Sequence, residues 1–234
     1  MALDVYAGTL TRYYTRDWEN VVQRQARLDG YTYQQISPDD RGPPPAASTI
    51  RPVVGSWQIA MTAALGENIS APISWDEADD VPYFTDRPGW QGYSGLLLWA
   101  AYAHDLRAVR PSTLPETWSE DPTYVAAVAQ GSPTPYRHIL QPTLWIPCKF
   151  DFVFQGPSLV REPTWIGSVF ELQRQLDLLN RETFRASEQQ LACYLREEIP
   201  ECDEVEHAAR FSLALFLELT RHACRVGVPL LLSF

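Results

Sequence analysis

At 234 residues and 45% hydrophobic content, the chain has enough apolar material for a core, in one large domain or two small ones. A formal net charge of -10 argues against a nucleic-acid backbone as partner, because that role needs clustered Lys and Arg to displace counterions, and Lys149 is the single lysine. No run approaches the ~20 apolar residues of a membrane span, and Met1 to Asn20 lacks the basic-then-apolar order of a secretory signal.

Leu3, Val5 and Ala7 alternate with Asp4 and Tyr6, which predicts a strand with one buried face, ended by Gly8 and Thr9. Thr15 is placed as the N-cap of a helix carrying Trp18, Val21, Val22, Gln25 and Leu28 on one side and closing at Gly30. Pro38, Pro43 to Pro45 and Pro52 predict a long Pro-rich loop over about 37–56, since each fixes φ and removes a backbone donor. A short apolar helix follows from Trp57 to Leu65, stopped by Gly66. Trp75 to Tyr93 interleaves acidic and aromatic residues on a stretch broken by Pro82, Pro88 and Gly89, and reads as irregular. A mostly buried helix is expected from near Ser94 to about Val109.

Residues 111–142 form a second Pro-rich, irregular segment with a short helical piece at Pro122 to Ala129. Leu144 to Phe154 is the clearest internal strand by its alternation of Phe150, Phe152 and Phe154, with a turn at Gln155 to Pro157 and a partner strand at Leu159 to Ile166. Ser168 with Glu171, and Ser187 with Gln190, have capping-box spacing and open two helices, the second ending near Pro200. From Glu204 a long helix buries more than half its circumference at ~100° per residue. Its polar stripe allows Glu206 with Arg210, and Glu218 with Arg221 or His222. Gly227 suits the αL position that ends it, and Leu230 to Leu232 reads as a strand buried on both faces. There is no fixed-period repeat and no regular βαβ alternation. The expectation is one α+β domain over 1–234, with several helices on a small mixed sheet gathering the first, Phe150 and last strands.

Cys148, Cys193, Cys202 and Cys224 show no CxxC spacing and read as reduced thiols, hence a cytoplasmic protein with neither disulfides nor a zinc site. The first functional candidate is a partner-binding surface made by Trp75, Asp76, Glu77, Asp79, Asp80, Phe84, Asp86, Trp90 and Tyr93, since aromatics rimmed by charge are what a protein-binding face offers. The opposing reading is a solvated loop whose aromatics fold back into the core. Asp76, Asp79 and Asp80 lack the spacing of a calcium loop. A pocket at the end of the first strand would use Asp4, Tyr6, Arg12, Tyr13 and Tyr14, joined in an enzyme by one of His104, His138 or His207. Glu204 and His207 form one E-x-x-H, short of what a di-metal bundle needs, so ion pairs are preferred there. Gly92, Ser94 and Gly95 lack the spacing of a nucleophile elbow. No glycine-rich phosphate loop follows the first strand, so no nucleotide cofactor is expected.

Charge without a catalytic motif makes the leading expectation a non-catalytic binding protein. It would cap a basic protein partner, as a bacterial immunity or antitoxin protein caps its toxin. The alternatives are a hydrolase or other small-molecule enzyme with its site near the first strand, and a structural homo-oligomer joined through apolar surface.

Overall fold

The computed structural model describes residues 3–31, 43–105, 107–160, 162–196 and 204–233. In chain order these form β1 (Asp4–Ala7), α1 (Leu10–Tyr14), α2 (Val21–Leu28), α3 (Ala47–Leu65), β2 (Phe84–Asp86), α4 (Gly89–His104), α5 (Pro122–Val128) and α6 (Arg137–Leu140). There follow β3 (Leu144–Ile146), β4 (Phe154–Pro157), β5 (Pro163–Ser168), α7 (Val169–Glu182), α8 (Glu188–Tyr194), α9 (Val205–Val226) and β6 (Leu230–Ser233). Among the described residues, nine helices pack with a six-stranded mixed sheet, an α+β fold.

The sheet runs in the order β2-β1-β6-β3-β5-β4, antiparallel throughout except for the β3–β5 pair. Val5 lies opposite Leu232, and Leu144 opposite both Leu231 and Ile166. Side chains alternate across it, so the central strands β1, β6 and β3 each supply two cores. Leu3, Val5, Ala7, Trp145, Leu230 and Leu232 face the helices α4, α7 and α9. Tyr6, Leu144, Ile146, Ile166 and Leu231 face the opposite way, onto Leu10 of α1 and Val54, Trp57 and Met61 of α3. The first strand is therefore buried on both faces, where alternation predicted one.

Helix α9 is the main element of the first core. Leu213, Leu215, Phe216 and Leu217 are essentially inaccessible, and fully burying such a side chain contributes about 1.5–3 kcal/mol. Gly227 ends it with φ 75. Helix α4 crosses α9 closely through Gly92 and Gly95: a Cβ on Gly95 would sit 2.7 Å from the Ala208 Cβ and 3.2 Å from the Ala209 nitrogen. The glycines thus serve helix contact, and the Ser94 hydroxyl between them bonds back to the Trp90 carbonyl at 2.6 Å.

Local capping signals are realised at Ser168, whose side chain accepts from the Glu171 N–H, and at Ser187, which forms a full box with Gln190. Elsewhere the elements differ from expectation. Thr9 caps α1 and Asn20, with Gln23, boxes α2, whereas Thr15 closes α1. The predicted loop over 37–56 contains the start of α3, which carries Pro52 in its second turn, where one missing N–H removes one bond; residues 32–42 lie outside the described residues. Helix α4 begins at Gly89 and ends at His104, earlier at both ends than predicted. Phe150 and Phe152 belong to no strand; with Phe154 they pack ring against ring at 5.0 to 5.9 Å, so the alternation reflects a local aromatic cluster. Residues 155–157 belong to β4 itself and its hairpin closes through the Ser158 N–H on the Glu162 carbonyl. Helix α8 ends at Tyr194, and the predicted stop near Pro200 and Cys202 lie outside the described residues. Cys148, Cys193 and Cys224 are free thiols.

Candidate functional site

The stretch from Trp75 to Tyr93 is divided among three places. At the first, Trp75 is half-buried against Trp57, with ring centroids 6.2 Å apart, and its Nε1 donates to the Glu77 carboxylate. Glu77 also accepts from the N–H groups of Leu10 (3.0 Å) and Thr11 (2.7 Å), satisfying the free donors at the start of α1. Two arginines hold the loop by its backbone. Arg12 donates to the carbonyls of Val81 (2.5 Å) and Asp79, and Arg51 Nε to the carbonyl of Glu77 (3.0 Å), while Arg51 Nη2 meets the Asp79 carboxylate. Asp76, Asp79 and Asp80 remain exposed. At the second place, Tyr93 is buried in α4 and stacks on Phe216, while Trp90, 42% accessible, stands at the start of the same helix. Phe84 and Asp86 go to a third, described below.

The residues proposed for a pocket at the first strand come together, but as a packed cluster. Tyr6 contacts Tyr13 (5.3 Å), Trp18 (5.0 Å) and Tyr83 (6.0 Å) ring to ring, and Tyr14 lies edge-on to Tyr13. The Tyr6 hydroxyl donates to the Thr9 carbonyl at 3.0 Å. Burial raises the phenol pKa of Tyr6, Tyr13 and Tyr14, so none offers a phenolate near neutrality. Asp4 is engaged by the Arg87 fork at 2.6 and 3.1 Å. The histidines suggested as companions are elsewhere. His104 closes α4, His207 lies in the first turn of α9, and His138 is fully buried with its Nδ1 accepting from the Ser168 N–H at 3.1 Å.

Between α2, β2 and α9 an open cleft of about 440 Å³ is lined by Glu19, Arg24, Arg27, Tyr83, Phe84, Thr85, Asp86, Glu218, Leu219 and His222. Strand β2 pairs with β1 on one side only. Its free edge is covered by α2, where Arg24 donates to the Thr85 hydroxyl (2.6 Å) and carbonyl (3.3 Å), and Thr85 Oγ1 donates to the Glu19 carbonyl (3.0 Å). Arg27 Nε bonds both carboxylate oxygens of Glu19, at 2.9 and 3.0 Å. Phe84 stacks on the His222 imidazole at 4.1 Å and 15°. Across the cleft from β2, Glu218 lies 3.8 Å from His222 Nε2, and Arg225 contacts His222 Nδ1. The Asp86 carboxyl accepts from the Arg87 N–H at 2.7 Å. Burial, and then the negative charge of Glu218, push its pKa up, against the pull of that N–H and of Arg24.

The sequence singles out Phe84 and Asp86, holds Tyr83 within the same acidic and aromatic stretch, and pairs Glu218 with His222 as a surface contact, but it does not point to Glu19, Arg24, Arg27, Thr85 or Leu219 as site residues. The one readable signal for α2's share was the Asn20–Gln23 capping box, which would have put Arg24 and Arg27 on one helix face. Arg221, expected to pair with Glu218, instead forks onto Glu188 at 2.8 Å twice. Among the described residues no group of three His, Cys, Asp or Glu side chains converges for a metal, and no helix is long and apolar enough to cross a membrane.

Fold and site together define an α+β protein with a pinned acidic loop and an open, charge-lined cleft at one edge of its sheet. No protein-family model, no curated protein and no solved structure matches the chain.

Proposed function

We propose that this chain is a non-catalytic cytoplasmic binding protein that holds a basic protein partner on its acidic surface, as an immunity or antitoxin protein holds its toxin. The observation that supports the reading is the way the 76–80 loop is fixed. Arg12 and Arg51 are spent chiefly on backbone carbonyls, so the loop is ordered while Asp76 and Asp80 keep their carboxylates toward water. An acidic surface ordered before contact loses less entropy on binding a cationic one, and a net charge of -10 steers such a partner inward.

The test is capture of the tagged protein from its native host at low and moderate salt, beside an Asp76→Asn/Asp79→Asn/Asp80→Asn variant. A stoichiometric basic partner, lost at the higher salt and weakened by the variant, is the expected result. Recovery of the protein alone, or only with itself, refutes it. A second reading, a small-molecule enzyme, draws on the half-buried Asp86 and His222 lining one cleft at the β2 edge of the sheet. Turnover of any ester, amide or phosphate in a substrate panel, abolished by Asp86→Asn, would replace the first reading with this one.

A further inference from the structure

We propose that the cleft between α2, β2 and α9 seats a guanidinium, the side chain of an arginine presented by the partner. This rests on the reading of a basic protein partner and adds where, and by what chemistry, that partner is read.

Three observations meet there. First, the cleft carries two carboxylates, Asp86 from β2 and Glu218 from α9, and among the described residues neither forms an ion pair with an arginine or lysine. Arg27 is held by Glu19 and Arg24 by Thr85, and the contact of Glu218 to His222 is long at 3.8 Å. Burial and the nearby charge of Glu218 both push the Asp86 carboxyl up, so a further positive charge would relieve the site. Second, the wall beside these carboxylates is aromatic. Phe84 and His222 form a stacked plate next to Tyr83, and planar cations lie well on such surfaces. Third, the cleft is open and, at about 440 Å³, has room for one long side chain with its water. A guanidinium offers a flat fork of donors that two carboxylates can share, where an ammonium offers a compact point charge and keeps its hydration. The same surface disfavours lysine for that reason.

The probes are N-acetyl-arginine methylamide and its lysine counterpart, titrated into the full chain while the ring signals of His222 and the methyl signals of Leu219 are followed by NMR. The arginine probe should shift both sets, with the lysine probe about fivefold weaker or more. Asp86→Asn, which keeps the acceptor oxygen for the Arg87 N–H, should weaken the arginine probe about tenfold. Glu218→Gln, on the exposed face of α9, should do the same. Unchanged His222 and Leu219 signals, equal response to the lysine probe, or indifference to both substitutions would overturn the assignment. Partner capture separates the two levels. A basic partner retained by Asp86→Asn but lost with the substituted acidic loop leaves the function standing and removes the cleft's role. Probe binding without any captured basic protein keeps the guanidinium seat and refutes the partner as its source.

Discussion

Replacing His138 by Asn, and following stability against pH, isolates the cost of holding a neutral imidazole in the core. His138 is inaccessible; its carbonyl accepts from Trp145 Nε1 at 2.7 Å, its N–H donates to Gln175 Oε1 at 2.7 Å, and Nδ1 accepts from Ser168. Burial pushes its pKa down to about 4, with the backbone of Asp151 pulling the other way and the Arg174 charge adding to the depression. In the unfolded chain the ring titrates near its ordinary value of about 6.5. Between these values the unfolded state binds the proton and the folded state does not, so stability rises with pH across the window and is lost as pH falls from about 6.5 toward 4. At about 1.4 kcal/mol per unit, the loss between pH 7 and pH 4.5 is about 2 kcal/mol. The Asn variant keeps an acceptor near Nδ1 but cannot titrate. Its deficit relative to the native chain should therefore shrink by about 2 kcal/mol on acidification to pH 4.5, read from urea midpoints by tryptophan fluorescence. The raised carboxyls of Asp86 and Asp177 work in the opposite direction, but they are common to both proteins and cancel. Parallel stability curves for the two chains would mean that His138 takes up its proton in the folded state as readily as outside it, and the burial argument would fail.

Two further outcomes follow from close contacts. Gly95→Ala should destabilise by about 1–3 kcal/mol despite alanine's better helix propensity, because the new methyl meets the α9 backbone; Ala208→Gly in the same chain should recover part of it, and additive losses in thermal melts would refute the seam. Glu77→Ala should cost about 2–3 kcal/mol, since the two N–H groups opening α1 and the Trp75 indole lose one charged acceptor, with Glu77→Gln intermediate; a neutral result in urea unfolding would show that water replaces the carboxylate freely.

What was legible in the chain was local. Ser168, Ser187 and Gly227 mark their helix ends through bonds to residues three or four positions away, and the structure forms those bonds. Pro52 misled because a helix can absorb one missing donor near its start when Val54, Trp57 and Met61 beyond it are buried, a fact of tertiary packing. Strand β2 was hidden for a related reason: its three residues are held by β1 and by Arg24, 61 positions away, and carry little pattern of their own. The same distance conceals the cleft. Its walls are drawn from α2, β2 and α9, so Asp86 could be singled out as an acid among aromatics, but not as the neighbour of Glu218. Glu77 was grouped with the surface acids for its charge, whereas its oxygens point inward to α1.

The placement of β6 bears on how the molecule is made. Among the described residues, the pair β2–β1 and the trio β3–β5–β4 have no strand-to-strand contact except through residues 230–233. On a ribosome, the hydrogen-bonding edges of β1 and β3 are both finished long before the strand that joins them emerges. For that interval the nascent chain carries two unpaired edges flanked by apolar side chains, the state most open to wrong pairing. Helix α9, immediately upstream, packs on one face of these strands, so β6 enters a slot whose two edges and one face are already defined.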